Sequence, residues 1–174
     1  PVWFDLTSVV DGFREALLDF KGAPVSNFED NGDGTINASE FGELTVFMPS
    51  GLAYFNTPPN GSSIPLYSSL IFNIQLYKVN EADHDRDGIP SHFEDLDGDR
   101  ILAGDAGDNT DGDNLVNYLD TDDDGDGTQT RDEITVKDLN GDGVITLDEI
   151  TFYDDDGDGI KNHLDKDDKD SKNE

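Results

Sequence analysis

Three acidic twelve-residue stretches recur with a fixed period of 16 residues, and only four residues separate one from the next. They are "DDDGDGTQTRDE" from Asp122 to Glu133, "DLNGDGVITLDE" from Asp138 to Glu149, and "DDDGDGIKNHLD" from Asp154 to Asp165. The connectors are Ile134-Thr135-Val136-Lys137 and Ile150-Thr151-Phe152-Tyr153. Four residues make about one helical turn, so this stretch cannot be a row of loops each flanked by two helices. The period alone therefore excludes a row of ordinary helix-flanked calcium loops.

The residue types within each loop point to a hard cation. Calcium takes about six to eight oxygen ligands, and a twelve-residue loop supplies them from positions 1, 3, 5, 7, 9 and 12 with a glycine at 6. In the central copy these are Asp138, Asn140, Asp142, the Val144 carbonyl, Thr146 directly or through water, and Glu149, with Gly143 at the turn. Ile145 at position 8 is expected to point away from the metal and pack. The upstream copy offers Asp122, Asp124, Asp126, the Thr128 carbonyl and Glu133, and the downstream copy Asp154, Asp156, Asp158, the Ile160 carbonyl and Asp165. A fourth copy, "DHDRDGIPSHFE", offers Asp83, Asp85, Asp87, the Ile89 carbonyl and Glu94. Weaker frames hold Asp95, Asp97 and Asp99, with Arg100 where glycine is expected, and Asn109, Asp111, Asp113 and Asp120, with Asn114 at the turn. The repeated D-x-D-x-D-G pattern with an acidic twelfth residue resembles thrombospondin type 3 repeats, which implies that several calcium ions take the place of a hydrophobic core. The histidines, His84, His92 and His163, are expected to be solvated rather than catalytic.

The net charge of −30 is concentrated in these repeats. Residues 1–80 carry nine acidic against three basic residues, residues 81–174 thirty-two against eight, and the aromatic residues show the reverse bias. The expected division is thus 1–80 and 81–174. An acidic region of this size excludes nucleic acid as a partner, because phosphates are repelled. No run approaches the ~20 apolar residues of a membrane span, and no signal peptide is visible. The chain starts at Pro1 without Met, which reads as a processed product or fragment, and with no cysteine it has neither disulfides nor cysteine–zinc sites.

The first eighty residues predict an α+β unit. Phe4 and Leu6 alternate around Asp5 as in a half-buried strand, Phe13, Leu17 and Phe20 recur at helical spacing up to Gly22, and Leu70, Phe72, Ile74 and Leu76 share one face of a strand. Phe4, Phe20 and Leu76 are expected in the core. The order "PVWFDL…VVDGFREAL…KG…TVFMPSGLAYF…IPLYSSLIFNIQLYKV", over residues 1–23 and 44–79, resembles the C-terminal half of an FKBP-type peptidyl-prolyl isomerase domain. The resemblance implies an antiparallel sheet around one short helix, with the N-terminal strands absent, and a pocket for proline-containing protein segments. In that pocket Val9 and Val10 would form the edge, Phe13 the floor, Ile64 and Phe72 the walls, and Tyr54 would offer its hydroxyl. Rotation about an X–Pro bond needs a dry, shaped site rather than an acid or base, so no catalytic dyad is expected. An insertion at about residues 24–43 adds another calcium frame, Glu29, Asn31, Asp33, the Thr35 carbonyl, Asn37 and Glu40, with Gly34 at its turn.

Calcium modules of the extracellular kind work at roughly 10⁻⁴–10⁻³ M, which suits a periplasm, outer membrane or cell surface, with the chain attached as a lipoprotein. The expected function is an isomerase or chaperone of the bacterial envelope with a calcium-ordered tail. The alternative is a non-catalytic subunit of an outer-membrane or secretion-related assembly, since a half-domain leaves a sheet edge and a core face for a partner.

Overall fold

A computed structural model describes residues 2–33 and 35–169. Gly34, the expected turn of the inserted frame, lies outside the described residues. The chain separates into two units, Pro1–Asn80 and Glu81–Glu174, and its mixture of short helices and antiparallel strand pairs is an α+β arrangement.

In the first unit the expected strand around Phe4 and Leu6 is absent. The Asp5 carboxylate instead accepts hydrogen bonds from the Thr7 N–H (2.9 Å) and hydroxyl (2.7 Å), turning the chain into a 3-10 turn over Leu6–Ser8. This is the competition that a short acidic side chain offers to a strand ladder. Helix α1 follows at Asp11–Leu18. A hairpin, β1 (Phe28–Asp30) with β2 (Ile36–Ala38), occupies the insertion. Strands β3 (Gly42–Met48) and β4 (Leu70–Leu76) pair antiparallel, with Val46 opposite Phe72 and Phe47 opposite Ile71.

Side chains alternate across β3 and β4, and the half-buried set includes Leu44, Val46, Leu70, Phe72, Ile74 and Leu76. Gly12 lets α1 approach this face: a Cβ there would stand 2.7 Å from Met48 Cγ. Met48 and Leu17 are buried, and the Phe13 ring meets Phe4 at 5.6 Å and Phe72 edge-on at 5.7 Å. Phe4 and Phe20, expected in the core, are 61% and 37% exposed. Once the segment before α1 is a turn rather than a strand, no sheet neighbour covers Phe4.

Among its described residues the second unit is built mainly from 3-10 turns, with one short helix, α2 (Thr130–Glu133), and one strand pair, β5 (Ile134–Val136) with β6 (Ile150–Phe152). These two strands are the four-residue connectors of the repeats. They pair antiparallel with Ile134 opposite Phe152 and Val136 opposite Ile150. Ile89, Ile134 and Ile150 are buried together, and Phe93, Val136, Ile145 and Phe152 pack against them. Ile145 packs as its loop position implies. The core is small, so each member carries much of it. Ile134→Ala, at a side chain 1% exposed, should cost about 2–5 kcal/mol, read as a lower urea midpoint with an unchanged slope.

Candidate metal centre

The acidic loops of residues 81–174 share one construction. The first side chain of each frame accepts backbone N–H groups further along. Asp83 takes Arg86 N and Gly88 N, Asp95 takes Gly98 N and Arg100 N, and Asp138 takes Gly141 N and Gly143 N. The carboxylates at positions 3 and 5 each accept from the N–H two residues on, as in Asp85 to Asp87 (3.1 Å), Asp87 to Ile89 (2.7 Å) and Asp158 to Ile160 (2.7 Å). One oxygen thus shapes the loop while its partner oxygen is left for other use.

Position 6 is left-handed in five frames, at Gly88, Arg100, Gly127, Gly143 and Gly159. Arg100 holds φ 71° despite its side chain, whereas Asn114, the expected left-handed residue of its frame, does not adopt that conformation. A 3-10 or α turn at positions 9–12 then brings the twelfth residue back toward the loop. The turns at Ser91–Phe93, Asn117–Leu119, α2 and Asn162–Leu164 do this for Glu94, Asp120, Glu133 and Asp165.

The carboxylates converge in five groups, within each of which one ligand atom per residue lies within 4.8 Å of all the others. These are Asp85–Asp87–Glu94–Asp123, Asp95–Asp97–Asp99, Asp111–Asp113–Asp120, Asp122–Asp124–Asp126 and Asp154–Asp156–Asp158. The first group is the most enclosed. Asp87, Glu94 and Asp123 are 2–3% exposed, and Asp85 Oδ2, Asp87 Oδ2, both Glu94 oxygens and Asp123 Oδ1 have no hydrogen-bond partner.

Burial, reinforced by Asp87, Asp123, Asp85 and Asp83, pushes the Glu94 carboxyl up to about 10. Burial followed by Asp87 and Asp85 pushes Asp123 to about 9, and burial with Asp85 and Asp83 nearby raises Asp87 to about 7 despite the opposing Ile89 N–H. In the Asp122 loop, burial and then Asp124, Asp126, Asp122 and Asp168 raise Glu133 to about 8.

The remaining expected ligands are placed differently. Asp83 lies outside the first group, with both oxygens on backbone amides. Glu133 lies beside Asp122–Asp124–Asp126, 1% exposed with Oε1 unpartnered. In the central repeat Asp138, Asp142 and Glu149 form no such group. Glu149 accepts from Leu139 N (2.8 Å), Thr146 N (3.1 Å) and the Thr146 hydroxyl (3.0 Å), and the Leu139 bond leads in holding its carboxyl below the usual range. Asp165 follows the turn of its own loop but belongs to none of the groups.

The inserted frame is a hairpin in which Glu29 faces Asn37 across the strands. Asn31 N donates to the Thr35 carbonyl, Asp33 accepts from Thr35, and Glu40 accepts from Asn27 at 2.9 Å. Of the six pocket residues expected in the first unit, Phe13 and Phe72 are in ring contact, and Val10 caps α1 beside Val9. Tyr54 and Ile64 are half-buried on the segment between β3 and β4. The shallow depression on this sheet is lined by Glu43, Leu44, Thr45, Asn73, Ile74 and Gln75, none of those six. His163 is not solvated: it stacks on Phe152 at 4.8 Å, and burial, then Lys161, pushes its ring down to about 4. His92 sits 3.0 Å from Glu81, and His84 Nδ1 lies 2.8 Å from the Ser91 hydroxyl.

Asp123 was not among the expected ligands. It is position 2 of its own loop, where a side chain has no role in the twelve-residue scheme, and nothing in a linear pattern shows that it reaches an earlier loop.

A family model described as BamM C-terminal matches residues 84–138, less than a third of the chain. No curated protein and no solved structure matches. The family match corrects the two resemblances drawn from the sequence, to FKBP-type isomerases and to thrombospondin type 3 repeats. Both rested on patterns that physics imposes widely. Oxygen ligation of a hard cation dictates D-x-D-x-D-G, and a half-buried strand dictates alternation. Neither pattern identifies a lineage.

The raised carboxyls set a pH dependence for the metal-free chain. Glu94, Asp123 and Glu133 hold protons in the folded state that an unfolded chain releases above about pH 4. Folding stability in chelator is then greatest at low pH and is lost as pH rises through the values near 7 to 10. The urea midpoint of the second unit should fall between pH 5 and pH 8. Glu94→Gln should lessen that fall, and a midpoint that climbs over the same range would contradict the assignment.

Proposed function

We propose that residues 81–174 form a calcium-ordered module, and that the chain serves as a non-catalytic subunit of a cell-envelope assembly at the outer membrane. The observation that carries the calcium reading is the group Asp85–Asp87–Glu94–Asp123, with five unpartnered oxygens among side chains that are mostly fully enclosed. A buried charge without a partner is costly, and a cation removes that cost. All-oxygen donors on flexible loops favour calcium over zinc, which prefers nitrogen and sulfur, and over magnesium, which demands a tighter octahedron. Support for the assembly reading comes from the family match over residues 84–138, which contains this whole group. The family is one of outer-membrane assembly components. That support favours the subunit over an isomerase. Among the described residues no helix is long and apolar enough to cross a membrane.

Calcium at about millimolar concentration should change the far-UV circular dichroism of the chain and protect residues 81–174 from protease, and chelator should reverse both. Identical spectra and digests in calcium and chelator would end the calcium reading. For the assembly, a tagged copy in its native host should fractionate with outer membranes as part of a larger complex. Recovery as a free monomer outside the envelope would end that reading.

A further inference from the structure

The first group is not contained in its own loop. Asp85, Asp87 and Glu94 come from positions 3, 5 and 12 of one frame, whereas Asp123 comes from position 2 of another, almost thirty residues later. Position 2 is where these loops normally send a side chain outward. The neighbouring residue Asp122 belongs to the other group, with Asp124 and Asp126. Two consecutive residues therefore serve two different clusters.

The backbone explains how. Asp123 N donates to the Thr130 hydroxyl at 3.2 Å, and Thr130 N donates to the Thr121 carbonyl at 3.1 Å, with Thr130 fully enclosed. This fixes the start of the later loop. Ile89 and Ile134, one from each loop region, are buried together beside it. Asp123 Oδ1 is unpartnered at a residue 2% exposed, facing two unpartnered oxygens of Glu94, itself 2% exposed. The earlier loop offers four unpartnered carboxylate oxygens, fewer than the about six to eight that calcium takes, and Asp123 adds a fourth carboxylate within 4.8 Å.

We infer that Asp123 is a direct ligand in a divalent-cation site shared between two loops, with Asp85, Asp87 and Glu94, so that one ion fastens residues 83–94 to residues 122–133. This inference rests on the calcium reading above. It adds that the ion count at full loading includes one site that no single repeat can form.

The test is a calcium titration of the full chain followed by native mass spectrometry and calorimetry, on wild type, Asp123→Asn and Asp155→Asn. Asp155 holds the same position 2 in the Asp154 loop and belongs to no carboxylate group, so its variant controls for the lost charge. Asp123→Asn should bind one ion fewer at the concentration that saturates wild type, or bind that ion about tenfold or more weakly, the scale at which even outer-shell partners act. Asp155→Asn should keep the wild-type count. In the wild-type chain, which needs no substitution to fold, the Asp123 and Glu94 side-chain carboxyl ¹³C resonances should move together during the titration. An unchanged count in Asp123→Asn, or an Asp123 carboxyl that stays still while Glu94 moves, overturns the shared site and leaves calcium binding intact. A wild-type chain that takes up no calcium overturns both.

Discussion

Burial of carboxylates, reinforced by their like-charged neighbours, is the constraint around which the second unit is arranged. Its apolar core is small: three isoleucines with a fringe of four partly buried neighbours, and Val116 and Tyr118 buried besides. Against that core stand Asp87, Glu94, Asp123, Asp124 and Glu133, each at most 3% exposed. With thirty-two acidic residues against eight basic ones in this region, the composition leaves most of this charge unbalanced. Relief comes from protons in the metal-free chain or, on the reading proposed above, from a bound cation. At Asp85 and Asp87 one carboxylate oxygen accepts from the backbone while the other is left unpartnered, so the turn and the candidate site arise from the same side chains.

The two units illustrate different ways for a short sequence to become ordered. In Pro1–Asn80 a helix closes on one face of a two-stranded sheet because Gly12 leaves room for Met48, and the contact is apolar. In Glu81–Glu174 regular elements are incidental. The pairing of β5 with β6 orders the connectors on either side of the central loop and places Ile134 and Ile150 in the core. That loop is the one whose acidic twelfth residue is satisfied locally by Thr146 and Leu139.

The strand over Leu70–Leu76 was legible because alternation is a local property, and so was the turn glycine of most loops. The strand expected around Phe4 was not, since Asp5 chose a side-chain bond to Thr7 over a ladder that has no neighbour to join. In the site, Asp85, Asp87 and Glu94 could be read from spacing. Asp123 could not, because its role depends on which loops stack. His163 misled for a similar reason: its place beside Phe152 is set by the fold of the last loop rather than by the residues around it in sequence. The two family resemblances failed because an acidic loop motif and an alternating strand pattern are both shared by unrelated chains.

A chain with no cysteine has no covalent means of tying distant segments together. Joining Glu94 to Asp123 through an ion closes the intervening stretch of almost thirty residues into a ring, and closing a long loop removes entropy from the unfolded chain as a disulfide does. Such a cross-link would be indifferent to oxidants and reductants and would answer to the free cation concentration and to pH. On that inference the fold would be ordered in one ionic environment and released in another without any covalent bond being made or broken.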